Sequence, residues 1–145
     1  MKNFFIVGFL LLITNIAFAQ KELQSIDEVN RMCDMIAQSI GQGQNERAMG
    51  MIADGMKTRK KSKDSPNIDL KGLFSFLKES EKSYGKLQGS QLGKEEKAGD
   101  FLVRYTYGIL YDEKPIWISF TYYKSLKMYG LHQVTWGENI EKLLD

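Results

Sequence analysis

Cysteine and histidine are nearly absent from this chain: each occurs once, as Cys33 and His132. A single thiol excludes an internal disulfide, so an exported domain of this kind has to be held by packing. No CxxC, HExxH or EF-hand-like spacing occurs, which leaves metal and thiol chemistry without a ligand set, and no cofactor is expected. Cys33 therefore reads as a buried helix residue. His132 lies between Leu131 and Gln133, with no nucleophile or orienting carboxylate beside it in sequence. A general base needs such a neighbour. His132 reads as structural or surface, and no residue is singled out as catalytic.

Charge of one sign is also missing. Twenty Lys and Arg face eighteen Asp and Glu, which excludes a global field that would recruit nucleic acid or an anionic membrane. The local exception is the run Lys57, Arg59, Lys60, Lys61 and Lys63. It carries no interleaved aromatic on which a base could stack, and it reads as a solvated loop, with an anionic surface as the alternative. Asp27, Glu28 and Asp34 share the first helix. Asp27 and Asp34, seven apart, lie on a similar side, but two helical carboxylates supply too few oxygens for calcium or magnesium, so the cluster reads as a solvated face.

Long apolar runs are confined to the first residues. Lys2 precedes "FFIVGFLLLITNIAF", and "AFA", Ala17 to Ala19, forms a small-x-small cleavage site before Gln20. The run falls short of the ~18–20 residues of a membrane span. No stop-transfer run follows, and no cysteine stands at the cleavage point for lipid attachment. Residues 1–19 are read as a signal peptide and 20–145 as one exported domain, periplasmic or secreted, with no membrane contact after cleavage. Taking 19 from 145 leaves 126 residues, enough for one real core.

Ser25-Ile26-Asp27-Glu28 is a capping box, with Glu28 expected to reach back to the Ser25 amide. Ile26, Val29, Cys33, Ile36 and Ile40 then recur at helical spacing until Gly41 and Gly43. A second helix follows Asn45, with Ala48, Met49, Ile52 and Met56 on its stripe. A third starts at the N-cap Asp69, carries Leu70, Leu73, Phe74, Leu77 and Tyr84 on one side, and stops at Gly85. Beyond Gly85 the period changes from 3.6 to 2. "KLQGSQLGKEEK" reads as a polar edge strand, then "DFLVRYTYGILYD", "PIWISFTYYK" and "YGLHQVTW" as three more, with "ENIEKLL" as a short helical tail.

"DEKP", Asp112 to Pro115, is a turn-like connection, so Tyr111 is expected opposite Ile116. Ile109 then faces Ile118, Tyr107 faces Phe120 and Tyr105 faces Tyr122. This face is the core. The other pairs Leu110 with Trp117, Gly108 with Ser119, Thr106 with Thr121 and Arg104 with Tyr123. Tyr105, Tyr107, Tyr111 and Tyr122 point inward, and their hydroxyls need partners. They sit at the rim of a tight core or line a pocket for a small apolar ligand. Leu102, Arg104, Leu110, Trp117 and Tyr123 share the outer face. That much apolar and aromatic surface marks an interface, here a homodimer through the open sheet, unless Ile140 to Leu144 folds back over it.

Helices followed by an antiparallel meander make an α+β domain with helices on one sheet face. "YGKLQGSQL", "RYTYGILYDEKPIWISFTYYK" and "YGLHQVTWGENIEKLL" resemble small exported bacterial proteins of the nuclear-transport-factor-2-like, or cystatin-like, superfamily, many of them domains of unknown function. The resemblance implies a curved four-stranded sheet wrapped around a long N-terminal helix, often with a pocket between them and often a dimer. Enzymes of that superfamily point an Asp, His or Tyr into the pocket; here the inward face of the hairpin carries tyrosines and aliphatics without a carboxylate or histidine. The function expected is a non-enzymatic exported binding module for a small apolar ligand or a protein partner. A small pocket enzyme of the lyase, isomerase or hydrolase type, or an inhibitory or structural protein acting through its sheet or loops, is the alternative. Cleavage after Ala19 is testable by intact mass: the exported protein should begin at Gln20, and residues 1–19 retained in the membrane fraction would overturn the leader.

Overall fold

In the computed structural model, Ser25 starts the first helix as the capping pattern predicts: its Oγ accepts the Glu28 amide at 3.2 Å. The return bond differs by one residue, because the Glu28 carboxylate accepts from the amide of Gln24 at 2.8 Å. The structure describes residues 22–57 and 68–144. The leader at 1–19 and most of the basic run, Arg59 to Lys63, lie outside the described residues; Lys57 pairs with Asp54 at 2.8 Å.

Four helices and four strands follow in chain order: α1 Ile26–Gly41, α2 Asn45–Lys57, α3 Leu70–Tyr84, β1 Leu87–Ala98, β2 Leu102–Tyr111, β3 Ile116–Ser125, β4 Met128–Gly137 and α4 Glu141–Leu144. The strands form one antiparallel sheet in the order β1-β2-β3-β4, so the fold is α+β with an open sheet. α1 presents Val29, Cys33, Ile36, Ala37 and Ile40 to the core, each at most 1% exposed. Gly41 ends that helix and also allows its approach to the sheet: a Cβ there would lie 2.7 Å from the backbone of Gly89 and Ser90 in β1. α3 is capped by Asp69, whose carboxylate accepts the Gly72 amide at 2.8 Å. It buries Leu73 and Leu77, with Phe76 rather than Phe74 packed against the core. No described helix is long and apolar enough to cross a membrane.

The β2–β3 register differs from the expected one by two residues. Ile109 pairs with Ile116, Tyr107 with Ile118, Tyr105 with Phe120 and Val103 with Tyr122 on the inner face. On the outer face Gly108 pairs with Trp117, Thr106 with Ser119, Arg104 with Thr121 and Leu102 with Tyr123. The reason lies in β1, which takes the end of β2. Leu110 and Tyr111 pair with Gly89 and Leu87, and the Asp112 amide donates to the Lys86 carbonyl at 3.0 Å. The β2–β3 connection therefore runs from Leu110 to Pro115. A shift of two leaves every side chain on its expected face, whereas a shift of one would invert them all.

β4 contains a bulge. Gln133 pairs with Thr121 and Leu131 with Tyr122, which leaves His132 as the extra residue. The bulge turns both Leu131 and Val134 inward and leaves His132 and Gln133 exposed. Phe120 is fully buried, and replacing it by Ala should cost roughly 3–5 kcal/mol in a urea melt. Thr121, on the opposite face, accepts Arg104 Nε at 3.1 Å, so Thr121→Ala should cost only about 1 kcal/mol. Equal losses would show that the faces are misassigned.

Candidate functional site

The inward tyrosines of β2 and β3 form a buried row that meets α1, β1 and α3. Tyr107, 2% exposed, donates to Asp34 Oδ1 at 2.6 Å. Asp34 stands on α1 one residue from Cys33, where the helix turns its side to β2. Tyr105, 1% exposed, points its hydroxyl at Glu95 of β1 at 3.4 Å. Tyr122 hydrogen-bonds with the Cys33 thiol. Tyr111 packs edge-on against Tyr84 of α3, ring centroids 6.4 Å apart. The sequence brings these four tyrosines to one face; the partners from α1 and β1 appear only in three dimensions.

Burial governs the acid-base behaviour of the row. Desolvation raises Tyr105, Tyr107 and Tyr122 above the usual phenol range, with Glu95, Asp34 and Cys33 respectively as the next cause. Tyr111 is pushed up to about 12 by burial and then by Glu81. The Cys33 thiol rises for the same two reasons, burial first and the Asp34 charge second. A thiol and phenols held protonated are poor nucleophiles and poor general bases. The row is built to keep protons, not to give them up.

A hollow of about 310 Å³ lies elsewhere, where the N-terminus of α1 meets the β3–β4 end of the sheet. Gln24, Ser25, Ile26, Asp27, Asp100, Lys124 and Tyr129 line it, and none of the four tyrosines of the row does. Tyr129, missed as a core residue by the sequence reading, is 4% exposed and donates to the Asp100 carbonyl at 2.6 Å. Its signal was weak, because it follows directly on the β3–β4 turn; pairing with Lys124 of β3 and a bridge to Leu23 fix its side.

The outer face divides in two. Towards the β1–β2 turn, Leu102, Arg104 and Tyr123 remain partly or largely open, and Phe101, 52% exposed, meets Tyr123 edge-on at 6.5 Å. Arg104 bonds Thr121, its direct partner across the strands, and its guanidinium lies 3.8 Å from Glu96. Towards the other end, Leu143 of α4 lies on Gly93 of β1 and Gly108 of β2, where added Cβ atoms would stand 3.1 and 3.5 Å from its methyls. Leu110 borders the same notch, and Trp117 lies against Gly137. Trp117 Nε1 is buried without a hydrogen-bond partner among the described residues, an omission that typically costs roughly 1–3 kcal/mol. The chain tail thus reaches the Leu110 side of the five-residue interface candidate, Trp117 is half-buried against Gly137, and the Leu102–Tyr123 half stays open.

No family model, curated protein or solved structure matches this chain.

The raised tyrosines and thiol carry a pH dependence with a definite sign. The unfolded chain loses protons from its thiol and phenols near their ordinary values of 9.0 and 10.0, while the folded chain retains them. Stability from these groups is fully present below about pH 9 and falls as pH rises towards the folded values, about 12 for Tyr111. Urea midpoints should be flat from neutrality to about pH 9 and then drop. In a Tyr84→Phe, Tyr123→Phe background, which removes the tyrosines outside the core, tyrosinate absorbance should appear only on unfolding, and early tyrosinate in the folded protein would show that the row is open to water.

Proposed function

We propose that the mature chain is an exported, non-enzymatic binding module of the nuclear-transport-factor-2-like, or cystatin-like, type, with its helices on one face of a curved sheet, and that it acts through the outer face of that sheet on a protein partner. The observation that carries this reading is the state of the tyrosine row. Each phenol that a pocket enzyme would aim at a substrate is buried, and Tyr107 is tied to Asp34 at 2.6 Å. A tyrosine acid working with a helix carboxylate needs a substrate beside the pair; the 310 Å³ hollow is lined by neither Tyr107 nor Asp34, and its own tyrosine, Tyr129, spends its hydroxyl on the Asp100 carbonyl at 2.6 Å. A small apolar ligand has the same difficulty, since the hollow offers Asp27, Asp100 and Lys124.

The partner that fits the open half of the outer face is a second copy of the chain. Aromatic residues and Arg are the types enriched at interface centres, and Phe101, Leu102, Arg104 and Tyr123 stand there together. Two such faces meeting about a twofold axis form an isologous contact, and ~800 Å² per partner makes a standard one. Native mass spectrometry of the exported protein should show a dimer of chains beginning at Gln20, without a bound small molecule. Tyr123→Glu should give a folded monomer. A stoichiometric small-molecule adduct on wild type would return the reading to a ligand carrier.

A further inference from the structure

We infer that the outer-face notch floored by Gly93 and Gly108 is a docking site for a leucine-bearing tail, and that in the dimer it receives Leu143 from α4 of the second copy. The inference rests on the dimer proposed above and adds the residue that each copy lends to the other.

The notch exists because two strands carry glycine at neighbouring positions. A Cβ at Gly93 would stand 3.1 Å from Leu143 Cδ2, and one at Gly108 3.5 Å from Leu143 Cδ1. A Cβ at Gly93 would crowd Leu143 and one at Gly108 would already touch it, so a long side chain at either position would take the space that Leu143 occupies. The segment that fits is therefore known, and every copy carries it.

Its hold within one chain is thin. α4 is a single turn, Glu141–Leu144, stabilised at its start by Asn139, whose side chain accepts the Glu141 amide at 3.1 Å. Only Leu143 is partly buried; Ile140 is 45% exposed and Leu144 80% exposed, both on a tail that lies against an apolar floor. A tail lying on one sheet has water on its other side. A tail passing between two facing sheets is covered on both, and Ile140 and Leu144 then lose their exposure.

The hinge permits exchange. β4 ends at Gly137, α4 starts at Glu141, and the linker between them is anchored by the exposed ion pair of Glu138 with Lys114 at 3.3 Å. Turning about this short linker carries the tail outward from the sheet without disturbing a strand. Exchange of a terminal element between identical chains is a low-cost route to a dimer.

Sedimentation velocity on the mature chain and three variants tests the exchange. Wild type should be dimeric at tens of micromolar. Leu143→Asp, which removes the tail anchor, and Gly108→Leu, which fills the notch, should each be monomeric with an unchanged circular-dichroism spectrum. Mixed together, they should form a heterodimer, because the Gly108→Leu copy still carries an intact tail and the Leu143→Asp copy an intact notch. A third variant, ending at Asn139, should also lose the dimer. If that truncated chain and Leu143→Asp dimerise as well as wild type, exchange is overturned while the face-to-face dimer stands. If the mixture stays monomeric although wild type dimerises, exchange is overturned as well. A wild-type monomer would overturn both.

Discussion

The packing of α1 on the inner face of the sheet, against β1 and β2, is the contact on which the rest of this molecule depends. Tyr105, Tyr107, Ile109, Ile118, Phe120 and Tyr122 form one side of it, and Val29, Cys33, Ile36 and Ile40 the other, nearly all shut off from water. Deep burial of so many large side chains supplies the main driving force in a chain without disulfides. It also fixes the remaining geometry. With the inner face committed to α1, the outer residues of β2 and β3 have no choice of side.

The same contact sets the chemistry that is left over. Tyrosines bring polar hydroxyls into a core, and a buried hydroxyl without a partner is expensive. Here Asp34 of α1 and Glu95 of β1 come to the rim and accept those hydrogen bonds, while the Cys33 thiol meets Tyr122. Packing and hydrogen bonding thus agree in keeping these groups neutral and in place. An arrangement that holds protons so firmly adds to the cohesion of the core.

That other side is shaped by small residues. Gly108 and Gly137 flank Trp117 across the strands, and Gly93 sits at a bulge in β1 beside Gly108. Thr106 and Ser119 pair their hydroxyls at 2.6 Å between them. The low floor accepts one leucine from a one-turn helix, while the aromatic and arginine end of the face stays open. The face is thus covered by a short tail at one end and exposed at the other.

The sequence by itself determined the order of elements, the caps at Ser25 and Asp69, the polar β1 edge and the inward or outward side of every residue in β2 and β3. These follow from periodicity and local hydrogen bonding, which depend on near neighbours alone. The two-residue error in the hairpin register left the faces intact because strand side chains repeat every two residues. Only the tertiary structure decided the register itself, since β1 captures Leu110 and Tyr111 in competition with β3. It also decided that His132 is a bulge residue, that Asp34 meets Tyr107 across seventy-three positions, and that Leu143 reaches Gly93 and Gly108. Each of those depends on residues far apart in the chain competing for one place, and no local pattern records who wins.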